Sequence, residues 1–266
     1  MESRTTLANE YDILSRAGRL RLNTVPIHVQ ENLNPKFTIR PYQKEALLRW
    51  FDRYESTQPS EQPLQLLFNM ATGSGKTLIM AALIIDLYKR GYSNFIFFVD
   101  KNNIVEKTKD NFLNAGSSKY LFNERLVIDG RPITVTQVSN FEGVSSKDIN
   151  IMFTTTAGLH STLNNPAENK VTYEDLAKDK LVLISDEAHH INSETKATRT
   201  SSARPNLRST CLRQTRLESR FQALPVGLEA VVSLAQCYCC LRVRCVPPES
   251  RSSVLKLGRR SLCSVS

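Results

Sequence analysis

Apolar residues in this chain come in short blocks set between polar stretches, and the blocks are of two lengths. Leu64-Gln65-Leu66-Leu67-Phe68-Asn69-Met70 is a brief apolar run of the kind that forms a buried strand. Leu78, Ile79, Ala82, Leu83 and Ile85 then make residues 76–89 a mostly apolar helix, with Asp86 and Lys89 arriving only near its end. The block Phe95-Ile96-Phe97-Phe98-Val99 predicts a strand at 94–99. Beyond it the pattern predicts a helix at 102–115, strands at 133–138 and 149–155, a helix at 157–163 and a strand at 181–185. Strands alternating with helices predict an α/β fold, a mostly parallel sheet with helices on both faces.

Polar punctuation sets the edges. Tyr11 to Leu22 reads as a short amphipathic helix with Arg16, Arg19 and Arg21 exposed, and Pro26 and Pro35 punctuate the next stretch into an extended lead. Residues 1–36 therefore read as an adapter ahead of the sheet domain. Ile39 to Ala46 has the look of an amphipathic helix start. Gln58 to Gln62 and Asn164 to Lys170 are polar loops, and Thr172 to Lys178 reads as a capped helical turn. There is no internal repeat.

Two strand ends carry chemistry. After the strand at 64–70 comes Ala71-Thr72-Gly73-Ser74-Gly75-Lys76-Thr77. Glycines let a backbone turn tightly and bring several N–H groups onto phosphate oxygens. Thr72, Gly73, Ser74 and Gly75 would form that cradle, Lys76 would reach the β and γ phosphates, and the Thr77 hydroxyl would sit on Mg²⁺. The next helix points its N-terminus at the same anion. The general pattern has glycine where this chain has Met70, and the turn then rests on Gly73 and Gly75. After the strand at 181–185 come Asp186 and Glu187. At the carboxyl end of a parallel strand, Asp186 would hold Mg²⁺ and Glu187 would orient and deprotonate an attacking water. His189 and His190 come directly after, but adjacent residues point different ways and no cysteine or third histidine is near, so a zinc site is disfavoured.

Composition changes the picture at one place. The chain of 266 residues carries 35 Lys and Arg against 26 Asp and Glu, a net charge of +9. From Ala197 onward there are 11 Arg and 1 Lys against 3 Glu, which is that whole excess, so residues 1–196 are balanced. All six cysteines (Cys211, Cys237, Cys239, Cys240, Cys245 and Cys263) lie in the same tail, which has no Ile or Asp. A natural domain boundary rarely replaces so many residue types at once. Residues 197–266 read first as non-native sequence, from a shifted reading frame or a misassembled gene, irregular or disordered in structure. Two other readings stay open: a basic nucleic-acid-binding arm, and a small metal module on Cys237, Cys239, Cys240 and Cys245, whose spacing lacks paired knuckles. No stretch approaches the 18 apolar residues of a membrane span, and the amino end lacks a signal-peptide layout. The expectation is a cytoplasmic protein with no membrane association.

With both strand-end motifs in view, the chain resembles superfamily 2 helicase motors of the DEAD/DEAH type. The resemblance implies a RecA-like P-loop NTPase domain over residues 37–196, with ATP and Mg²⁺ as cofactors and Lys76, Asp186 and Glu187 as catalytic residues. Ile39-Arg40-Pro41-Tyr42-Gln43-Lys44-Glu45-Ala46 is similar to the family's adenine-recognition segment, which implies that Gln43 bonds the adenine edge, with Arg40 and Phe37 nearby. Phe95 to Asn103 and Asn150 to Thr156 resemble two nucleic-acid-contacting motifs, implying contacts from Lys101, Asn102, Thr154 and Thr155. Hydroxyls, lysines and helix N-termini suit a phosphate backbone.

Other phrases resemble the restriction (Res) subunit of type III restriction-modification systems: Glu31 to Phe37, Asn94 to Val99, Ile104 to Leu113, Gly158 to Ser161 and Leu183 to Asn192. That resemblance, over Ile27 to Lys196, implies an ATP-driven translocase on double-stranded DNA, a methyltransferase subunit as partner and a separate nuclease domain. In such motors a second sheet domain supplies arginines to the transferred phosphate. The expectation is that this chain ends before that domain and before a nuclease, and that its catalysis is impaired. A generic DNA or RNA helicase fragment, and an ATP-binding module or remnant without enzymatic action, are the alternatives.

Overall fold

The computed structural model describes residues 7–19, 23–56, 64–164 and 180–186, with the backbone of two further strands at 228–235 and 262–265. Three helices lead in: α1 (Leu7–Arg16), α2 (Ile27–Gln30) and α3 (Pro41–Ser56). The alternating part comes next as β1 (Leu64–Asn69), α4 (Lys76–Lys89), β2 (Asn94–Val99), α5 (Asn102–Leu113), β3 (Leu126–Ile128), β4 (Arg131–Ile133), β5 (Val135–Gln137), β6 (Ile149–Thr155), α6 (Thr156–Asn164) and β7 (Leu181–Ser185). Two strands in the tail, β8 (Leu228–Ala235) and β9 (Leu262–Val265), complete the order. The loops at 58–62 and 164–170 and the turn at 172–178 fall wholly or mostly outside the described residues.

Seven strands form one sheet in the order β5-β6-β2-β7-β8-β1-β9, and every pairing in it is parallel. Parallel sheets are covered on both faces, so their strands are apolar throughout. All six residues of β2 and all five of β7 are buried. Successive side chains go to opposite faces. Phe95, Phe97 and Val99 join the larger core with α3, α4 and α5, whereas Ile96 and Phe98 join Leu159 and Leu163 of α6 on the other side. Helix α4 is buried almost all round, and that is why its sequence shows no polar face until its end.

Three differences from the sequence expectation have local causes. The first helix ends at Arg16, not Leu22, because Gly18 takes a left-handed φ of +64°. Arg19 N–H then bonds Leu14 O at 2.9 Å and Gly18 N–H bonds Ser15 O at 3.1 Å, a glycine-terminated cap. Helix α5 ends at Leu113 because Asn114 is extended and its Oδ1 accepts the Gly116 N–H at 3.0 Å. The single strand expected at 133–138 is two: β4 pairs antiparallel with β3, and β5 pairs parallel with β6. Asp129 (φ 51°) and Gly130 (φ 75°) make the two-residue turn between β3 and β4, the Asp-Gly signal of a hairpin. The carboxyl tail, for which the sequence predicts no regular element, places β8 between β7 and β1 and adds β9 at the edge.

The lead segment is tied down by asparagines. Asn32 Nδ2 donates to Val127 O at 2.9 Å and its Oδ1 accepts Val127 N–H at 2.7 Å, so its side chain serves β3 as a neighbouring strand would. Asn34 Nδ2 donates to Tyr120 O at 2.8 Å. Deeper, the Asp86 carboxylate, 1% exposed, accepts Trp50 Nε1 at 3.0 Å, Arg90 Nε at 2.7 Å and His28 Nε2 at 3.1 Å. Burial pushes its pKa up, but the bonds from His28, Arg90 and Trp50 outweigh it and leave the carboxyl below its ordinary 3.8. One buried acid thus joins α2, α3 and α4.

Candidate nucleotide and nucleic-acid site

The turn from β1 into α4 is built by two glycines. Gly73 has φ +75° and Gly75 φ +82°, both in the region that side chains with a β-carbon rarely adopt. Gly75 stands at the N-cap of α4, where the free N–H groups of the first turn and the positive end of the dipole meet. Ser74 ties the loop internally, its N–H to Ala71 O at 3.2 Å and its Oγ to the same oxygen at 2.6 Å. Met70, where the general pattern has glycine, is buried in the larger core, so the departure is filled by packing. Thr77 is half-buried in the first turn of the helix.

Lys76 is 8% exposed. Its Nζ lies 3.4 Å from Met70 O and 3.4 Å from Ala71 O, long contacts that hold an ammonium loosely within the loop. Thr72 and Gly73 are exposed above it.

A second layer comes from α3. Gln43, buried, donates through Nε2 to Ser74 O at 2.7 Å and accepts the Arg40 N–H at Oε1 at 2.9 Å. Tyr42, 41% exposed, donates its hydroxyl to the same Ser74 oxygen at 3.0 Å. Sequence reasoning assigned Tyr42 no role. Its only signal was an aromatic residue beside Gln43 in a segment already suspected of nucleotide contact.

Asp186 comes directly after β7 and is 9% exposed, with its N–H bonded to Phe98 O at 3.2 Å. Both β1 and β7 pair in parallel with β8, one on each side. The glycine loop and Asp186 therefore leave the same edge of the sheet, two strand spacings or about 10 Å apart. Glu187, His189 and His190 lie outside the described residues, and among the described residues no three His, Cys, Asp or Glu side chains cluster as for a metal. A hydroxyl on Thr77 and a carboxylate on Asp186 are the hard oxygen donors that Mg²⁺ takes together with water and phosphate, so this donor set fits it.

On the next strands outward, β2 and β6 run in register with Phe98 opposite Thr154 and Val99 opposite Thr155. Lys101 and Asn102, exposed at the start of α5, thus share an edge with Thr154 and Thr155, the last residues of β6 just ahead of α6. Thr155 Oγ1 accepts the Gly158 N–H at 3.0 Å and caps α6. A β-carbon on Gly158 would stand 2.7 Å from Thr154 Oγ1 and 3.1 Å from Thr155 Oγ1. Gly158 is what lets these hydroxyls crowd the helix start, a role the sequence alone did not single out.

A covered parallel sheet, a glycine loop between strand and helix, and an acid at the end of a strand on the same edge define a RecA-like P-loop domain. Within that class the chain belongs to the family described as type III restriction enzyme, res subunit, whose model matches residues 36–214. It is similar to the probable type III restriction-modification enzyme HindVIP Res subunit of Haemophilus influenzae, 40% identical over 178 residues, which are 65% of this chain and 34% of that protein. The chain thus spans about a third of the length of that relative. Among the described residues no helix is long and apolar enough to cross a membrane.

Proposed function

We propose that this chain is the ATP-binding first motor domain of the DNA-translocating subunit of a type III restriction endonuclease. The observation that carries the reading is the common edge: β1 and β7, parallel and both flanking β8, deliver Lys76 and Asp186 to one side of the sheet. The Res family supports the motor class, and the residues supply the remaining steps.

The triphosphate lies along Gly73, Ser74 and Gly75 at the N-terminus of α4, where backbone N–H groups and the helix dipole favour anions. Lys76 gives up two weak carbonyl contacts for the β and γ phosphates. Thr77 and Asp186 would hold a magnesium ion, which would supply positive charge against the phosphates. Glu187 takes a proton from water as the water oxygen bonds to the γ phosphorus. The bond from that phosphorus to the bridging oxygen breaks, leaving ADP and phosphate. Lys101, Asn102, Thr154 and Thr155 face the backbone of double-stranded DNA along the neighbouring strands, by phosphate rather than base contact. A methyltransferase subunit supplies site recognition in the assembled enzyme.

The test is titration of the chain with ATP and Mg²⁺, read by fluorescence of a labelled nucleotide. Wild type should bind and Lys76→Ala should not. Equal binding by both would remove the loop from the site.

A further inference from the structure

Helix α2, the last turn of α4 and the β3–β4 hairpin enclose a hollow of about 370 Å³. Gly75 caps the first end of α4 and Lys89 is its last residue, so the hollow lies about 20 Å along that helix from the phosphate loop. Its walls are tied together. Lys89 Nζ reaches Asp129 Oδ1 at 3.2 Å and joins α4 to the hairpin. Asn32, which holds the Val127 backbone, also donates to His28 O at 2.8 Å and joins α2 to the same hairpin. Asn123 links the rim: its Nδ2 donates to Glu31 O at 2.8 Å and its Oδ1 accepts the Arg125 N–H at 3.5 Å.

The groups left over around this hollow match one another. Of the four large apolar side chains that stand exposed among the described residues, two are here, Ile27 at 70% and Val127 at 36%. The exposed Glu31 carboxylate and Arg125 guanidinium have no ion pair or side-chain hydrogen bond among the described residues. Lys89 and Arg125 balance Glu31 and Asp129, so the patch would meet another like itself without net repulsion. An interface about a two-fold axis uses one patch twice, and every group must find its match within that patch. Here both halves of each match are present: a spare cation and a spare anion, a protruding Ile27 and a hollow.

We propose that this face is a self-association surface. Two copies of the chain meet about a two-fold axis, each Arg125 against Glu31 of the partner subunit and each Ile27 in the other copy's hollow. The glycine loop stays open in both copies, and the proposal is independent of the nucleotide reading above.

The experiment is sedimentation equilibrium of the full chain over a range of concentrations, with a thiol reductant so that cysteines of the tail do not link copies. Wild type should show a monomer–dimer equilibrium. Arg125→Glu and Glu31→Arg should each weaken it on the order of a hundredfold, because the two-fold axis turns both ion pairs into like-charge pairs. Mixed together, the two variants should associate as wild type does, since every contact between positions 125 and 31 in the mixed dimer again joins opposite charges. Damage to folding could not produce that recovery. Ile27→Asp, at an exposed position, should abolish the dimer and melt like wild type. A monomer at every concentration would overturn the proposal. So would a dimer that the charge reversals or Ile27→Asp leave unchanged, or a mixture that associates no better than either variant alone.

Discussion

The indole N–H of Trp50 donates to the carboxylate of Asp86 across a buried gap of 3.0 Å, joining a helix of the lead segment to the helix behind the glycine loop. Arg90 and His28 close the same carboxylate on its other sides. Replacing Asp86 by Ala leaves the partly buried Arg90 guanidinium with Glu55 as its remaining acidic partner and the indole N–H unbonded. Loss of one member of such a buried pair costs about 3–5 kcal/mol. For a domain of this size that is a fall in Tm of roughly 6–20 °C, read by thermal denaturation.

Acid should expose the same group. The Asp86 carboxyl sits below its ordinary 3.8 in the folded chain. Its stabilisation is therefore complete above that value and lost as pH falls through the lower folded value. The stability gap between wild type and Asp86→Asn should be constant from neutral pH down to about pH 5 and shrink below about pH 4. A gap that instead closed near neutral pH would point to a different group.

Lys76→Ala should separate binding from folding. The Nζ contacts at 3.4 Å are too long to contribute much. Without nucleotide the variant should melt within a few degrees of wild type. With ATP and Mg²⁺ the wild type should gain roughly 3 kcal/mol at a hundredfold excess over Kd, and the variant nothing. Differential scanning fluorimetry reads both arms.

Lys101 and Thr155 should behave differently on DNA. Lys101 is exposed ahead of α5, so Lys101→Ala should leave Tm unchanged, lower affinity for duplex DNA and reduce the slope of log K against log salt by about 0.9. Thr155 caps α6, so Thr155→Ala should cost about 0.5–2 kcal/mol of stability through the lost cap. Its hydroxyl can still donate to a DNA phosphate, so Thr155→Ala should lower DNA affinity as well as Tm; a fall in Tm alone would make it a cap and no contact.

Asn32→Asp tests the strap. The exchange keeps shape and acceptor but loses the donor to Val127 O and to His28 O, and sets charge in a site 2% exposed. Destabilisation of about 2–4 kcal/mol is expected from unpaired buried groups, measured by denaturant unfolding.

Much of this architecture was legible in the chain because the signals are local. The apolar blocks at 64–70, 94–99 and 181–185 read as strands since both faces of a covered parallel sheet ask for the same residues. The glycines at 73 and 75 announced a tight loop because few other residues accept those angles. Where local signals compete, the expected boundaries slipped: Gly18 and Asn114 stop helices early, and the Asp129-Gly130 turn divides what the apolar pattern shows as one strand.

Residue pattern was enough to mark β1, α4, β2, α5, β6, α6 and β7 and the residue types standing at their ends, whereas α2, read as extended, and β3 went unmarked. Neighbours came only with the assembled fold. Folding set β8 between β1 and β7, divided one apolar run between two sheets at Thr134, sank Met70 into the core, spent Gln43 on a loop carbonyl and turned Thr155 into a cap. Periodicity and turn chemistry act within a few residues. Strand pairing and the partners of a buried amide instead join groups tens to more than a hundred positions apart, and nothing local encodes which of them will meet.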